Sequence, residues 1–255
     1  DKAAMAEAIS SGRAPLAIGT HALIEEAVDF RRLGLAIIDE QHRFGVRQRL
    51  TLREKGANPH QLMMSATPIP RTLAMSYYAD LDVSVIDELP PGRKPVLTKL
   101  VSEARRDEVI ARIRDACAQG RQAYWVCPLI EETEKLQLQT AVDTFERLRA
   151  ELPALKVGLV HGRLKGEEKA AVMGAFAAGR VQLLVATTVI EVGVDVANAS
   201  LMVIEHAERF GLSQLHQLRG RVGRGADDSV CILLYAHPLG ETARARLKVI
   251  FENSD

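Results

Sequence analysis

The stretch that decides the fold is Leu35-Ala36-Ile37-Ile38-Asp39-Glu40-Gln41-His42, continued by Arg43-Phe44-Gly45-Val46. Its apolar residues run without alternation straight into two adjacent carboxylates. An uninterrupted short apolar run is the pattern of a strand buried on both faces, as in a parallel sheet. Ligands of open α/β sheets sit off the carboxyl ends of the strands, which is where Asp39 and Glu40 fall. There one carboxylate can hold a Mg²⁺ that bridges phosphate oxygens, while its neighbour polarises a water for attack. An acidic pair that merely ends a strand in solvent would be spelled the same way, so the text further along the chain has to decide.

Working outward toward the N-terminus, residues 1–11 read as a helix closed by Gly12. Residues 15–19 read as a short apolar strand. Thr20-His21 then opens a helical stretch over 22–28, and the Thr20 hydroxyl suits either a helix cap or a backbone phosphate contact. On the other side, 47–54 reads as a helix stopped by Gly56, and 61–64 as a strand entering Ser65-Ala66-Thr67-Pro68. Ser65 and Thr67 at this second strand end suit bonds to the neighbouring acidic turn, or simple turn chemistry. Pro70 fits the first turn of a helix over 71–78, and 83–86 reads as one more strand.

Pro90-Pro91-Gly92-Arg93-Lys94-Pro95 can join neither a helix interior nor a central strand. It marks a linker over 90–97 that allows two lobes to move relative to each other. Beyond it, strands at 96–101, 122–127, 156–160, 181–186, 201–204 and 230–235 alternate with helices at 103–117, 138–152, 167–176 and 213–218, the last with Ser213 as a candidate cap. Strand–helix alternation on both sides of the linker gives an α/β class with mainly parallel sheets flanked by helices. The expected organisation is a first lobe at 1–89, the linker, a second lobe at 98–238, and the start of a C-terminal region at 239–255.

Composition narrows the class. The 255 residues carry 33 basic and 33 acidic side chains. That balance is compatible with nucleic acid, because binding needs a local basic stripe rather than a basic total. The three cysteines are far apart and show no metal spacing, which fits a reducing cytoplasm with thiols used as small core residues. No apolar run is long enough to span a bilayer. Both ends look cut: the chain starts at Asp1 inside a helical pattern and stops at Asp255 inside another.

Two further constellations carry chemistry. In Ala186-Thr187-Thr188-Val189-Ile190-Glu191-Val192-Gly193-Val194-Asp195, Thr187 can donate to phosphates, Gly193 permits close backbone approach and Asp195 can accept from a ribose hydroxyl. In Gln217-Leu218-Arg219-Gly220-Arg221-Val222-Gly223-Arg224-Gly225, arginines alternate with glycines at the end of a helix. Arginine on a Gly-permissive backbone suits clamping a phosphate that gains charge in a transition state; a nucleic-acid backbone patch is the competing reading. Gly-x-x-x-x-Gly-Lys-Ser/Thr, the loop that cradles the β- and γ-phosphates, occurs nowhere in these residues.

Asp39-Glu40-Gln41-His42, Ser65-Ala66-Thr67, the 186–195 stretch and Gln217 through Arg224 stand in the order of helicase motifs II, III, V and VI. Together they resemble the superfamily 2 DExH helicases, which have two RecA-like lobes. The longer strings DEQHRFGVRQR, SATPIPRTLAMSYYADLDVSVIDELPPGRKPV, HGRLK and ATTVIEVGVDVANASLMVIEHAERFGLSQLHQLRGRVGRG are similar to the RecG family of bacterial ATP-dependent DNA helicases. The likeness covers nearly the whole chain. It implies two RecA-like lobes, the first incomplete, with ATP and Mg²⁺ as cofactors and branched DNA, a junction or fork, as the partner of a monomeric motor.

The resemblance also implies roles. Asp39 holds the metal through water and Glu40 activates the attacking water. His42, Ser65 and Thr67 couple nucleotide state to DNA grip. Gln217, Arg221 and Arg224 reach the phosphates across the interlobe cleft, with Arg224 as the finger. Gly193 and Asp195 face the nucleotide, and Thr20, His161 and Thr187 touch the DNA backbone. The phosphate-cradling loop and the family's wedge domain are not in this text, so the chain alone is expected neither to hydrolyse ATP nor to unwind DNA. Three rivals stay in view. A transcription-repair coupling factor has a closely similar motor, though the text around Glu88-Leu89-Pro90-Pro91-Gly92-Arg93 favours RecG. A nucleotide-independent DNA-binding module would use the basic loops alone. A metal hydrolase built on Asp39-Glu40 lacks further ligands at metal spacing.

Overall fold

A computed structural model describes residues 2–40, 44–65, 82–88, 93–128, 134–187, 196–225 and 228–253. The chain divides into two compact units, Asp1–Val83 and Ser84–Asp255.

In the first unit, β1 (Leu35–Ile38) and β2 (His60–Met63) pair in parallel, with Leu35 opposite His60 and Ile38 opposite Met63. The ladder continues one step beyond the pair, where the Met64 N–H donates to Ile38 O at 2.8 Å. Helix α1 (Lys2–Ser10) ends at Gly12, whose φ of +76° is the left-handed turn expected of a helix-closing glycine. Helix α2 (Val46–Glu54) starts where the Gly45 N–H donates to Gln48 Oε1 at 2.9 Å, one arm of a capping box.

Ala36 and Ile38 are buried with Ile24 and Leu52, and Leu33, Phe44 and Met63 pack around them. The other face of the pair is open. Leu35, Ile37 and Leu62 are 56%, 59% and 50% exposed. This corrects the expectation that the decisive strand is buried on both faces. A parallel strand is covered twice only where helices lie on both sides of the sheet, and the described residues cover one side.

Three other expectations fail here, the two strands among them for one reason. Residues 15–19 form no strand, and Leu16 and Ile18 are 75% and 88% exposed. The helix over 22–28 shrinks to one 3₁₀ turn, His21–Leu23. Residues 83–86 form no strand, with Val83, Val85 and Ile86 at 62%, 79% and 93% exposure. A short apolar run becomes a strand only beside a neighbour that takes its backbone hydrogen bonds, and these runs have no ladder partner among the described residues. The helix expected over 71–78 lies outside the described residues.

The second unit is built on a fully parallel six-stranded sheet in the order β3-β8-β7-β4-β6-β5. The strands are β3 (Leu97–Ser102), β4 (Gln122–Val126), β5 (Val157–Val160), β6 (Leu183–Ala186), β7 (Ala199–Ile204) and β8 (Val230–Tyr235). Every residue of β4, β6 and β7 is buried, as unalternated apolar text predicts for central parallel strands. Successive side chains leave opposite faces of the sheet. Trp125, Val185 and Val203 therefore meet α3 (Arg106–Ala118) and α4 (Glu134–Glu151) on one side. Tyr124, Leu184 and Met202 meet α5 (Gly166–Ala177), α6 (Leu212–Arg219) and α7 (Glu241–Glu252) on the other.

Helix α6 is entered through Gly211, whose N–H donates to Gln214 Oε1 at 2.9 Å, rather than through Ser213. Cys117, Cys127 and Cys231 are free and buried, and burial pushes the Cys117 thiol up to about 11. No helix among the described residues is long and apolar enough to cross a membrane.

Candidate functional site

Parallel pairing puts the carboxyl ends of β1 and β2 side by side, so Asp39-Glu40 and Ser65 leave the sheet at the same end. Asp39 folds back on the turn: its Oδ1 accepts the Glu40 N–H at 2.8 Å. Glu40 has φ +51°, the left-handed region that a residue with a Cβ enters at a cost of about 1–2 kcal/mol. Strain of this kind clusters where a side chain must be aimed, and one Glu40 oxygen, Oε2, is withdrawn from solvent. His42 and Thr67 lie outside the described residues.

Thr20 sits at the N-cap of the 3₁₀ turn but makes no side-chain cap bond. Of its two readings, capping is therefore not realised. The neighbouring His21 ring stacks on Phe44 at 4.5 Å between centroids, which ties this turn to the segment following the acidic pair.

In the second unit, His161 follows β5 and Thr187 follows β6, the adjacent strand. The Thr187 N–H donates to Val160 O at 3.2 Å, which brings the two predicted residues together at one edge. Thr187 Oγ1 is buried with no hydrogen-bond partner among the described residues. His161 Nδ1 accepts the Arg163 N–H at 3.3 Å. Burial first, then the nearby Arg163 charge, holds the His161 pKa below its ordinary value, with Glu168 opposing. A neutral imidazole whose Nδ1 is engaged as acceptor carries its proton on Nε2, a donor suited to a phosphate oxygen. Gly193 and Asp195 lie outside the described residues.

The arginine-rich stretch divides its labour. Gln217 and Arg219 belong to α6, and Gly220 ends it. Arg219, the first of the three arginines, turns inward and is 4% exposed. It donates to Thr98 Oγ1 at 3.4 Å, Ile250 O at 3.1 Å and Asn253 O at 2.6 Å, and its Nη2 lies 3.2 Å from His216 Nδ1. Its task is structural: it satisfies carbonyls at the carboxyl end of α7, where a cation is favoured.

Arg221 is half-buried and Arg224 exposed, its Nε donating to Gly220 O at 3.2 Å. Gly223 has φ +79°, and a Cβ there would come 2.7 Å from Val96 Cγ2. A Cβ on Gly225 would collide with the Ala197 carbonyl. Gly223 and Gly225 are thus demanded by close approach of neighbouring atoms, and they fix the loop that carries Arg221 and Arg224.

Sequence reasoning missed a buried charge. Glu205 follows β7 as Asp39 follows β1, yet it is 5% exposed and faces the core. It pairs with Arg106, accepts from Trp125 Nε1 at 3.0 Å and Thr144 Oγ1 at 3.4 Å, and lies 3.7 Å from Cys127 Sγ. The Arg106 guanidinium also lies 4.7 Å from the Trp125 ring centroid. The one signal in the text was an acid directly after the apolar run Leu201–Ile204, which reads equally well as a second catalytic acid.

Glu205 locks α3, α4, β4 and β7 together. Glu205→Leu leaves Arg106 buried and uncompensated, so urea unfolding should show a loss of about 3–5 kcal/mol. The double replacement Glu205→Leu with Arg106→Met should recover most of it, since apolar substitution of a whole buried pair is often neutral. The adjacent Glu103, Glu205 and His206 have ligand atoms close enough together for a metal ion. The Arg106 cation already fills that position, in its pair with Glu205 and 4.0 Å from Glu103 Oε1.

With this geometry in place, comparison with known proteins is informative. Residues 104–226 match the helicase conserved C-terminal domain family. The chain is 63% identical over 250 residues to the ATP-dependent DNA helicase RecG of Acidithiobacillus ferridurans, covering 98% of this chain and 36% of that protein. It also overlays a structure of RecG bound to a three-way DNA junction with a TM-score of 0.77 and 50% identity, over 100% of this chain and 33% of that one.

The chain belongs to the RecG helicase family.

It spans 37% of the length of several curated RecG relatives that it matches. A more distant likeness, to S. cerevisiae Dbp5 bound to RNA and ADP BeF3, has a TM-score of 0.62 at 16% identity over 91% of this chain and 61% of that one, and speaks to the fold alone. The parallel α/β architecture with helices on both faces of the six-stranded sheet is that of RecA-like helicase lobes. The RecG kinship also favours the helicase reading over a coupling factor or a metal hydrolase.

Proposed function

We propose that this chain forms part of the motor of a cytoplasmic, ATP-dependent DNA helicase that works on branched DNA. The observation that carries the reading is the pair of outward arginines, Arg221 and Arg224, on a glycine-tightened loop of a RecG-family chain. Asp39 and Glu40 serve the same ATP as these arginines. Two carboxylates at a strand end are a hard oxygen donor set of the kind Mg²⁺ takes. Asp39, its carboxylate oriented by the Glu40 N–H on Oδ1, would hold the ion. When bound, Mg²⁺ supplies charge neutralisation at the phosphates. Glu40, aimed by its left-handed backbone, orients and deprotonates the attacking water. Arg221 and Arg224 meet the charge that develops on the phosphoryl oxygens, and Gln217 lies on the helix that carries them. Gly193 and Asp195 face the nucleotide, and His42, Ser65 and Thr67 relay its state to the DNA grip.

On the nucleic-acid side, Thr20, His161 and Thr187 hold DNA phosphates. The buried Thr187 hydroxyl, without a partner among the described residues, supports this reading, because a buried polar group normally has one. Residues 1–89 make up a first lobe, 90–97 a linker, 98–238 a second lobe, and 239–255 the start of a further region.

The test compares two polypeptides: this 255-residue chain, and a chain of the relatives' full length carrying it. The longer chain should hydrolyse ATP in a DNA-stimulated, Mg²⁺-dependent way and respond most to junction DNA. The shorter chain, which has no phosphate-cradling loop, should show no stimulated turnover. Appreciable DNA-stimulated turnover by the shorter chain would refute this division of labour.

A further inference from the structure

The segment that leads into β3 is not a slack tether. Arg93, Lys94 and Val96 lie against the arginine loop and the residues just before β8. Arg93 Nη2 donates to Gly220 O at 3.4 Å. Val96 occupies the space next to Gly223, with the Lys94 carbonyl 3.7 Å from where a Cβ would stand. Lys94 Nζ pairs with Asp228 Oδ1 at 2.9 Å. The Leu97 N–H donates to Ser229 O at 2.9 Å, and the β3–β8 ladder begins there. The carbonyl that Arg93 holds is also the one on which Arg224 rests, through Nε at 3.2 Å.

From this track of contacts we propose that Arg93 is a positioning residue for the arginine loop, with Lys94 as its support, so that the placement of Arg221 and Arg224 depends on it. The inference rests on the reading that these two arginines serve the phosphates of ATP. When Arg224 leaves the Gly220 carbonyl for a phosphate oxygen, Arg93 keeps that carbonyl satisfied and holds the end of α6 in place. Without Arg93 the carbonyl retains Arg224, and the loop loses its fixed edge. An error of about 1 Å in the placement of a reacting group can cost on the order of 10²-fold in rate, so a weak contact at this point can have a large kinetic effect.

The experiment uses a polypeptide of the relatives' full length carrying this segment, with the variants Arg93→Ala, Arg93→Lys, Lys94→Ala and Arg224→Ala. Arg93→Ala should lower the DNA-stimulated kcat for ATP about 10- to 100-fold, while KM for ATP, DNA affinity and Tm stay near wild type. Arg93→Lys, which keeps a donor near Gly220, should recover part of the loss. Lys94→Ala, which removes an exposed ion pair, should cost about threefold or less. A kcat for Arg93→Ala within twofold of wild type, alongside an inactive Arg224→Ala, overturns the proposal and leaves the arginine reading standing. A fall in Tm that accounts for the lost activity and is not relieved by Arg93→Lys also overturns it, since Arg93 would then be merely structural. An Arg224→Ala variant with full activity overturns the underlying reading instead.

Discussion

Arg224→Ala in a polypeptide of the relatives' full length should lower the DNA-stimulated kcat for ATP hydrolysis by about 10³- to 10⁵-fold, the range seen when an arginine finger is lost from a phosphoryl-transfer site. ATP affinity should change far less, because the guanidinium acts on charge that appears only as the γ-phosphoryl group departs. The expectation follows from the placement of the arginines. Arg219 is fully committed to Thr98, Ile250 and Asn253 and has no freedom to reach a ligand. Arg224 is exposed, with its Nε on Gly220 O, and so lies within reach of solvent and of a ligand. Steady-state kinetics with a separate nucleotide-binding titration check this. Arg224→Lys should recover little, because a lysine cannot reproduce the planar two-pronged donor. Arg219→Ala should behave differently, losing stability through the unpaired carbonyls of α7 before it loses anything specific to chemistry.

Glu40→Gln carries the second large effect. The amide keeps the size and polarity of the side chain but cannot take a proton, so kcat should fall about 10²- to 10⁴-fold, the usual worth of a positioned general base. Binding of ATP with Mg²⁺ should persist, since the proposed function gives that task to Asp39. Asp39→Asn should show the complementary pattern, with the Mg²⁺ dependence shifted to higher concentration. Glu40 also sits at φ +51°, so Glu40→Gly should relieve backbone strain while abolishing activity. A raised Tm with lost turnover in that variant would separate the cost of aiming the side chain from its chemistry.

Much of this was legible in the text because central parallel strands leave a plain signature. LLVA at β6 and ASLMVI at β7 are buried along their whole length. The glycines that close helices were equally plain, since Gly12, Gly120 and Gly179 all have positive φ. The arginine-rich stretch was recognisable because glycines alternate with its charges, and Gly223 and Gly225 prove to be positions where a side chain would collide. What stayed hidden depended on tertiary partners. The 15–19 and 83–86 runs have strand composition but no neighbour to pair with among the described residues. β1 reads as doubly buried, yet Leu35 and Ile37 are exposed because the described residues cover one side only. Glu205 and Asp39 occupy the same place in their strands. Only the Arg106 guanidinium, which arrives from α3, makes one of them a buried structural charge. Arg219 could not be told from Arg221 and Arg224 by spacing, because its inward turn depends on α7 lying against α6.

The most direct test is a structure of the full-length relative of this chain with junction DNA, Mg²⁺ and ADP–aluminium fluoride, which mimics the departing phosphoryl group. The account predicts a carboxylate oxygen of Asp39 in the hydration shell of the metal, Glu40 against the in-line water, and a guanidinium of Arg221 or Arg224 about 3 Å from the fluoride. A trapped complex in which both guanidinium groups lie on the DNA backbone, with the acidic pair turned away from the metal, would contradict it.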